Sequence, residues 1–127
     1  MNIRMSGLDY DLAPIALREQ LSFTKNAVAE AVACIRGMEG VLGAVLLSTC
    51  NRTELYLSCE EDSETDPGRL LCAAAGLGYQ PFAGAFVTRT GEACARHLME
   101  VACGLRSQIL GEDQILTQVK TAAAIAR

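Results

Sequence analysis

Apolar and polar positions change period several times along this chain, and each change predicts an element boundary. Residues Asn2 to Leu8 predict a first strand that ends in Gly7-Leu8-Asp9-Tyr10-Asp11. Pro14 stands where a helix can begin, and a short helix is predicted through Leu17 to Leu21. Ser22 or Thr24 then offers an N-cap, and Val28, Ala31, Val32 and Ile35 make the apolar stripe of a second helix ending near Gly37. Gly40 to Leu47 returns as a strand.

The next stretch, LLSTCNRTELYL from Leu46 to Leu57, is where the pattern is most informative. The short branched run Ala44-Val45-Leu46-Leu47 suits a buried strand, and it halts at Ser48. Beyond a polar cluster the chain alternates: Thr53, Leu55, Leu57 and Cys59 share one face, and Glu54, Tyr56 and Ser58 share the other. This predicts strand, active loop, strand. Glu60 to Asp66 is an acidic loop that caps a helix opened by Pro67 and running through Leu70, Leu71 and Ala74. Gly76-Leu77-Gly78 ends that helix and does not open a dinucleotide fold, because Tyr79-Gln80-Pro81 follows and no third glycine does.

Ala85 to Thr88 predicts a last strand, and Thr90 caps a helix reaching about Gly104. Cys94, Leu98, Val101 and Leu105 form its stripe, with His97 about 60° off the centre and able to face a cleft. A turn through Arg106, Ser107 and Gly111 leads to a final helix from about Glu112. There Ile115, Val119, Ala122 and Ala126 form the apolar face, and Gln114 and Gln118 stand one turn apart. The chain stops inside this helical pattern, as a longer protein cut here would, or a frayed terminal helix.

Composition narrows the class. With 127 residues, 50% hydrophobic and 20% charged, the chain predicts one soluble globular domain. The net charge of -4 gives no basic footprint, so a nucleic-acid partner has to be contacted locally. No apolar run approaches a membrane span and no signal-peptide core opens the chain, which predicts a cytoplasmic protein away from membranes. The six cysteines contain no C-x-x-C pair and His97 is the sole histidine, so disulfides and structural zinc are not expected. Cys34, Cys72 and Cys94 read as small apolar core residues.

Candidate chemistry centres on Cys50. Thr49, Cys50, Asn51 and Arg52 put a hydroxyl, a thiol, an amide and a guanidinium on consecutive positions. A thiol of pKa about 8.5 needs a cation or a helix terminus to become a nucleophile at neutral pH. Arg52 either supplies that cation or clamps a substrate carboxylate bidentately; both roles imply an acidic or acyl substrate. Spacing alone also admits an inert Cys50 at a strand end, a surface His97, and surface amides at Gln114 and Gln118.

Two separated motifs add to this. STCNRTELY, from Ser48 to Tyr56, and HLMEVACGLRSQILGEDQILTQVK, from His97 to Lys120, together resemble the N-terminal catalytic domain of the glutamyl-tRNA reductase family. Gly7-Leu8, Ala13-Pro14 and Arg18-Glu19 resemble its opening motif, so the likeness covers essentially the whole chain. The resemblance implies an α+β fold over one domain, residues 1–127. It has an antiparallel sheet of about four strands with helices on one side, βαββαβ-like, and ends in the start of a long helix. It also implies that Cys50 attacks the ester carbonyl of glutamyl-tRNA to give an enzyme thioester. NADPH then reduces the thioester to glutamate-1-semialdehyde, on the route to 5-aminolevulinate, heme and other tetrapyrroles.

By position, the resemblance makes Cys50 and His97 catalytic. It gives the substrate Thr49, Cys50, Asn51, Arg52, Ser107, Glu112, Asp113, Gln114 and Gln118. It implies no metal, and an NADPH bound by a domain absent from these residues, as are the dimerisation helices. Implied partners are glutamyl-tRNA, the downstream aminomutase and, for the full-length protein, a second copy. Asp9, Tyr10, Asp11 and Leu12 depart from the family's Asn-His-Lys-Thr, Arg106 replaces an aspartate, and Cys103 a serine. The competing class is a non-catalytic ligand-binding or regulatory module on the same fold.

Overall fold

The computed structural model describes residues 2–9, 13–49 and 52–102; the expected final helix from Glu112 lies outside them. Within these residues the chain runs β1 (Asn2–Asp9), α1 (Ile15–Gln20), α2 (Lys25–Arg36), β2 (Val41–Ser48), β3 (Arg52–Cys59), α3 (Pro67–Ala74), β4 (Val87–Thr90) and α4 (Gly91–Ala102), with a 3-10 turn at Gln80–Phe82. The strands form one sheet in the order β2-β3-β1-β4, each neighbouring pair antiparallel. The expected α+β class and four-stranded antiparallel sheet are therefore what the chain builds.

Local chemistry sets the helix ends. Thr24, rather than Ser22, caps α2, its hydroxyl accepting from Ala27 N–H at 3.2 Å. Asp66, the last residue of the acidic loop, caps α3 by accepting from Gly68 N–H at 2.9 Å, with Pro67 in the first turn. The end of α3 needs a glycine: Gly76 has φ +73°, Leu77 N–H reaches Cys72 O at 2.8 Å, and Gly76 N–H reaches Ala73 O at 3.1 Å. That is a Schellman cap, which leaves this glycine pair at a helix exit and not at a phosphate-binding entrance.

The sheet is covered on both faces. On one, Leu8, Leu46, Leu55, Leu57 and Cys59 pack with Leu21, Val32, Ile35 and Leu71 from the first three helices and their connections. Each such leucine contributes roughly 1.5–3 kcal/mol by leaving water. On the other face, Met5 and Tyr56 pack with Cys94 of α4, and Leu47 packs with Val101. One-sided packing thus holds for α1 to α3, while α4 lies opposite them. The cause is the second face's own apolar positions, Met5, Leu47 and Tyr56, which require cover.

Two further expectations shift. Cys72 and Cys94 are buried as expected, but Cys34 is exposed. Helical period explains this: the buried stripe is Val28, Ala31, Val32 and Ile35, and Cys34 sits about 110° from its centre. The last strand begins two residues later than expected because Ala85 N–H is held in a turn by Phe82 O at 2.9 Å.

Candidate functional site

Strand β3 starts at a pinned turn. Thr49 N–H donates to Arg52 O at 2.8 Å, and Arg52 N–H donates to the Thr49 hydroxyl at 3.2 Å. These two bonds tie Thr49 to Arg52. The same strand end is held from the opposite face, where the Thr53 hydroxyl donates to Leu21 O at 2.6 Å and Ser48 Oγ accepts from Phe23 N–H at 3.1 Å.

From that turn, the alternation of β3 sends Arg52, Glu54 and Tyr56 to the face beneath α4. Arg52 and Glu54 are each 1% exposed, as is His97 of α4. Burying a carboxylate is costly unless donors surround it, and here they do. His97 Nε2 lies 2.6 Å from Glu54 Oε2, the Tyr56 hydroxyl donates to Glu54 Oε1 at 2.9 Å, and Arg52 Nη1 lies 3.7 Å from Oε2. A carboxylate accepts, so the imidazole hydrogen sits on Nε2. Nδ1 has no hydrogen-bond partner among the described residues. The Tyr56 and His97 rings stack with centroids 6.5 Å apart.

Room for this carboxylate comes from β1. Gly7 pairs with Glu54 in register, and a Cβ there would stand 2.6 Å from both Glu54 Cγ and Thr53 O. Burial, then the Glu54 carboxylate, pushes the Tyr56 hydroxyl far above the usual phenol range, so it remains a donor. The same two causes push the neighbouring Cys94 thiol up to about 11, against a smaller opposing effect of Arg89.

Of the expected site residues, the fold brings Arg52 and His97 together through Glu54, and ties Thr49 to Arg52. His97 turns its Nε2 onto Glu54 and also lines a hollow with Arg89, Glu92, Arg96 and Glu100. Cys50, Asn51, Ser107, Glu112, Asp113, Gln114 and Gln118 lie outside the described residues, as do Tyr10, Asp11, Leu12, Cys103 and Arg106. Glu54 and Tyr56 were not among the expected site residues. Their signal was present in the alternation, as an acidic and a phenolic residue in an otherwise apolar strand.

Chemically, the cluster is a buried imidazole with one nitrogen committed to a carboxylate, beside a guanidinium whose backbone is tied to Thr49. Among the described residues no group of His, Cys, Asp and Glu is arranged to hold a metal, and no helix is long and apolar enough to cross a membrane.

The whole chain is similar to known proteins. The family model described as glutamyl-tRNAGlu reductase, N-terminal domain, matches residues 6–127. Glutamyl-tRNA reductases of Acetivibrio thermocellus and Alkaliphilus oremlandii are 52% and 48% identical over 127 residues, covering 100% of this chain and 38% of each relative. The solved glutamyl-tRNA reductase from Methanopyrus kandleri superposes with a TM-score of 0.77 at 32% identity, over 98% of this chain and 28% of that one. The chain thus spans well under half the length of these relatives. It belongs to the glutamyl-tRNA reductase family and corresponds to that family's N-terminal domain.

Proposed function

We propose that residues 1–127 form the substrate-binding and thiol-nucleophile unit of a glutamyl-tRNA reductase acting in cytoplasmic tetrapyrrole biosynthesis. The observation that carries this reading is the buried Arg52–Glu54–His97 cluster, which begins two residues along the sequence from Cys50, in a chain that matches the family over residues 6–127.

In the reaction proposed, the Cys50 sulfur bonds to the carbonyl carbon of the ester joining glutamate to tRNA. The bond from that carbon to the terminal ribose oxygen breaks, and the thiol proton ends on the ribose oxygen. His97 is the group placed to carry that proton, through Nδ1, because Nε2 is held by Glu54. Arg52 has five donors on one guanidinium, so it can face Glu54 and also take the substrate's carboxylate. Thr49, Asn51, Ser107, Glu112, Asp113, Gln114 and Gln118 complete the substrate site in this reading.

Completing the reduction requires NADPH, which supplies hydride when bound. The described residues do not fit it: the one closely spaced glycine pair, Gly76 and Gly78, lies at a helix C-terminus. No reductive step is therefore assigned to this chain. The NADPH site, a second copy and the aminomutase contact belong, on this proposal, to the parts of the longer relatives that this chain does not span.

Intact-mass measurement after incubation with glutamyl-tRNA tests the reading. The expected result is a gain of one glutamyl group, lost on hydroxylamine treatment and absent from Cys50→Ala. An unmodified wild-type chain, or an equal adduct on Cys50→Ala, would instead favour a non-catalytic binding module.

A further inference from the structure

The Tyr56 hydroxyl has no role in the reaction just described, yet it is buried and satisfied by a single partner, Glu54 Oε1. That bond matters because of what the carboxylate does with its other oxygen. Oε2 faces both His97 Nε2 at 2.6 Å and Arg52 Nη1 at 3.7 Å. A glutamate side chain turns about its terminal bond over a broad range, and either oxygen can in principle meet either His97 or Arg52. With Oε1 tied to Tyr56 across the i, i+2 step of β3, the carboxylate plane is fixed and Oε2 is the oxygen presented to His97. Gly7 closes the remaining side, since its Cα approaches the Glu54 stem where any Cβ would collide.

We propose that Tyr56 is a positioning residue for His97: its hydroxyl orients Glu54 so that the imidazole hydrogen stays on Nε2 and Nδ1 remains the working nitrogen. The step it serves rests on the thioester reading above. The two rings also stack, so the phenol limits imidazole tilt as well as tautomer. Burial and the Glu54 carboxylate hold the phenol well above its usual range, so the hydroxyl remains a donor.

His97 is the single histidine in the sequence, so long-range proton–nitrogen NMR of the labelled chain reports one imidazole without assignment ambiguity. The test compares wild type with Tyr56→Phe, which keeps the ring and its stacking and removes only the hydroxyl. The expected wild-type spectrum is that of the Nε2–H tautomer. In Tyr56→Phe the two nitrogen shifts should move toward each other as Nδ1–H becomes populated, and single-turnover thioester formation should slow roughly tenfold, the equivalent of losing one hydrogen bond. The pH dependence of that rate should also shift in Tyr56→Phe, which a purely structural role does not require.

Unchanged nitrogen shifts in Tyr56→Phe overturn the proposal, even if the rate falls. An altered tautomer with an unchanged rate overturns it equally. Absence of any thioester on wild type is a separate outcome: it removes the reaction that Tyr56 is proposed to serve, and the nitrogen shifts then decide only whether the hydroxyl sets the tautomer. Far-UV circular dichroism of Tyr56→Phe accompanies both measurements, and Tyr56→Trp, which retains a ring donor, restores neither shift nor rate if the hydroxyl's position is what counts.

Discussion

Glu54→Gln is the sharpest test of the buried cluster as a structural feature. The substitution preserves shape and keeps an amide oxygen that can still accept, but it takes away the carboxylate charge that His97 meets at 2.6 Å and Arg52 at 3.7 Å. Both facing groups are 1% exposed, so water does not compensate. Removing one member of a buried ionic cluster costs about 3–5 kcal/mol; retained hydrogen-bond shape in glutamine places the expectation at the lower end, about 3 kcal/mol. For a chain of 127 residues, an unfolding entropy of about 2.1 cal/mol/K per residue gives about 0.27 kcal/mol/K at the midpoint. The expected fall in Tm is therefore about 11 °C. The assay is thermal and urea unfolding followed by far-UV circular dichroism, since the chain has no tryptophan. A loss within about 0.5 kcal/mol, the range of an ordinary surface substitution, would show that the carboxylate charge is not what holds this cluster, and the reasoning would fail.

Two other substitutions probe the neighbourhood. Gly7→Ala places a Cβ 2.6 Å from Glu54 Cγ and Thr53 O; because one of those atoms is backbone, overpacking of about 1–3 kcal/mol or more is expected in urea unfolding, and a cost below about 0.5 kcal/mol would contradict the close approach. The Cys94 thiol, raised from an ordinary 9.0 to about 11 by burial and by Glu54, stays protonated in the folded chain after it has ionised in the unfolded one. Its contribution is fully present below pH 9 and is lost as pH rises toward about 11, so the wild-type urea midpoint should fall more steeply across that window than that of Cys94→Ala. Parallel curves would refute it.

Much of the fold was legible because its signals are local. Thr24, Asp66 and Gly76 act through side-chain oxygens or backbone freedom within a few residues of their own helix ends, and the alternation of β3 needs only the period of a strand. What the chain's pattern did not reveal is which helix lies on which face. Three helices share one side, and nothing within α4 states that it crosses to the other; only the register of Met5 with Tyr56 and the burial of Leu47 demand it. The same gap hid the role of Glu54. Its face was correctly grouped with Tyr56, but a carboxylate on a strand face becomes a histidine partner only when α4 is laid over it. His97 was placed at the margin of its stripe by angle, and it is buried because that margin meets Glu54. Cys34 misled in the opposite direction: its apolar neighbours suggested core, and its angle on α2 leaves it exposed.

The two faces of the sheet hold their helices by different physics. The face under α1 to α3 is a continuous apolar cluster, which stabilises strongly and directs weakly, since leucines slide and repack at modest cost. The α4 face has smaller apolar groups, Met5 with Tyr56 and Cys94, and Leu47 with Val101, and the polar cluster reaches α4 at His97, between Cys94 and Val101. Hydrogen bonds to a charged group are directional, so the His97–Glu54 contact fixes the point at which α4 meets β3. That contact lies two residues from Arg52, whose backbone is tied to Thr49 on the far side of the turn. Arg52 and the histidine borne on α4 thus take their placement from one strand, through Glu54. Sharing one rigid reference is how two elements distant in sequence keep side chains within the roughly 0.5 Å tolerance that a functional site demands.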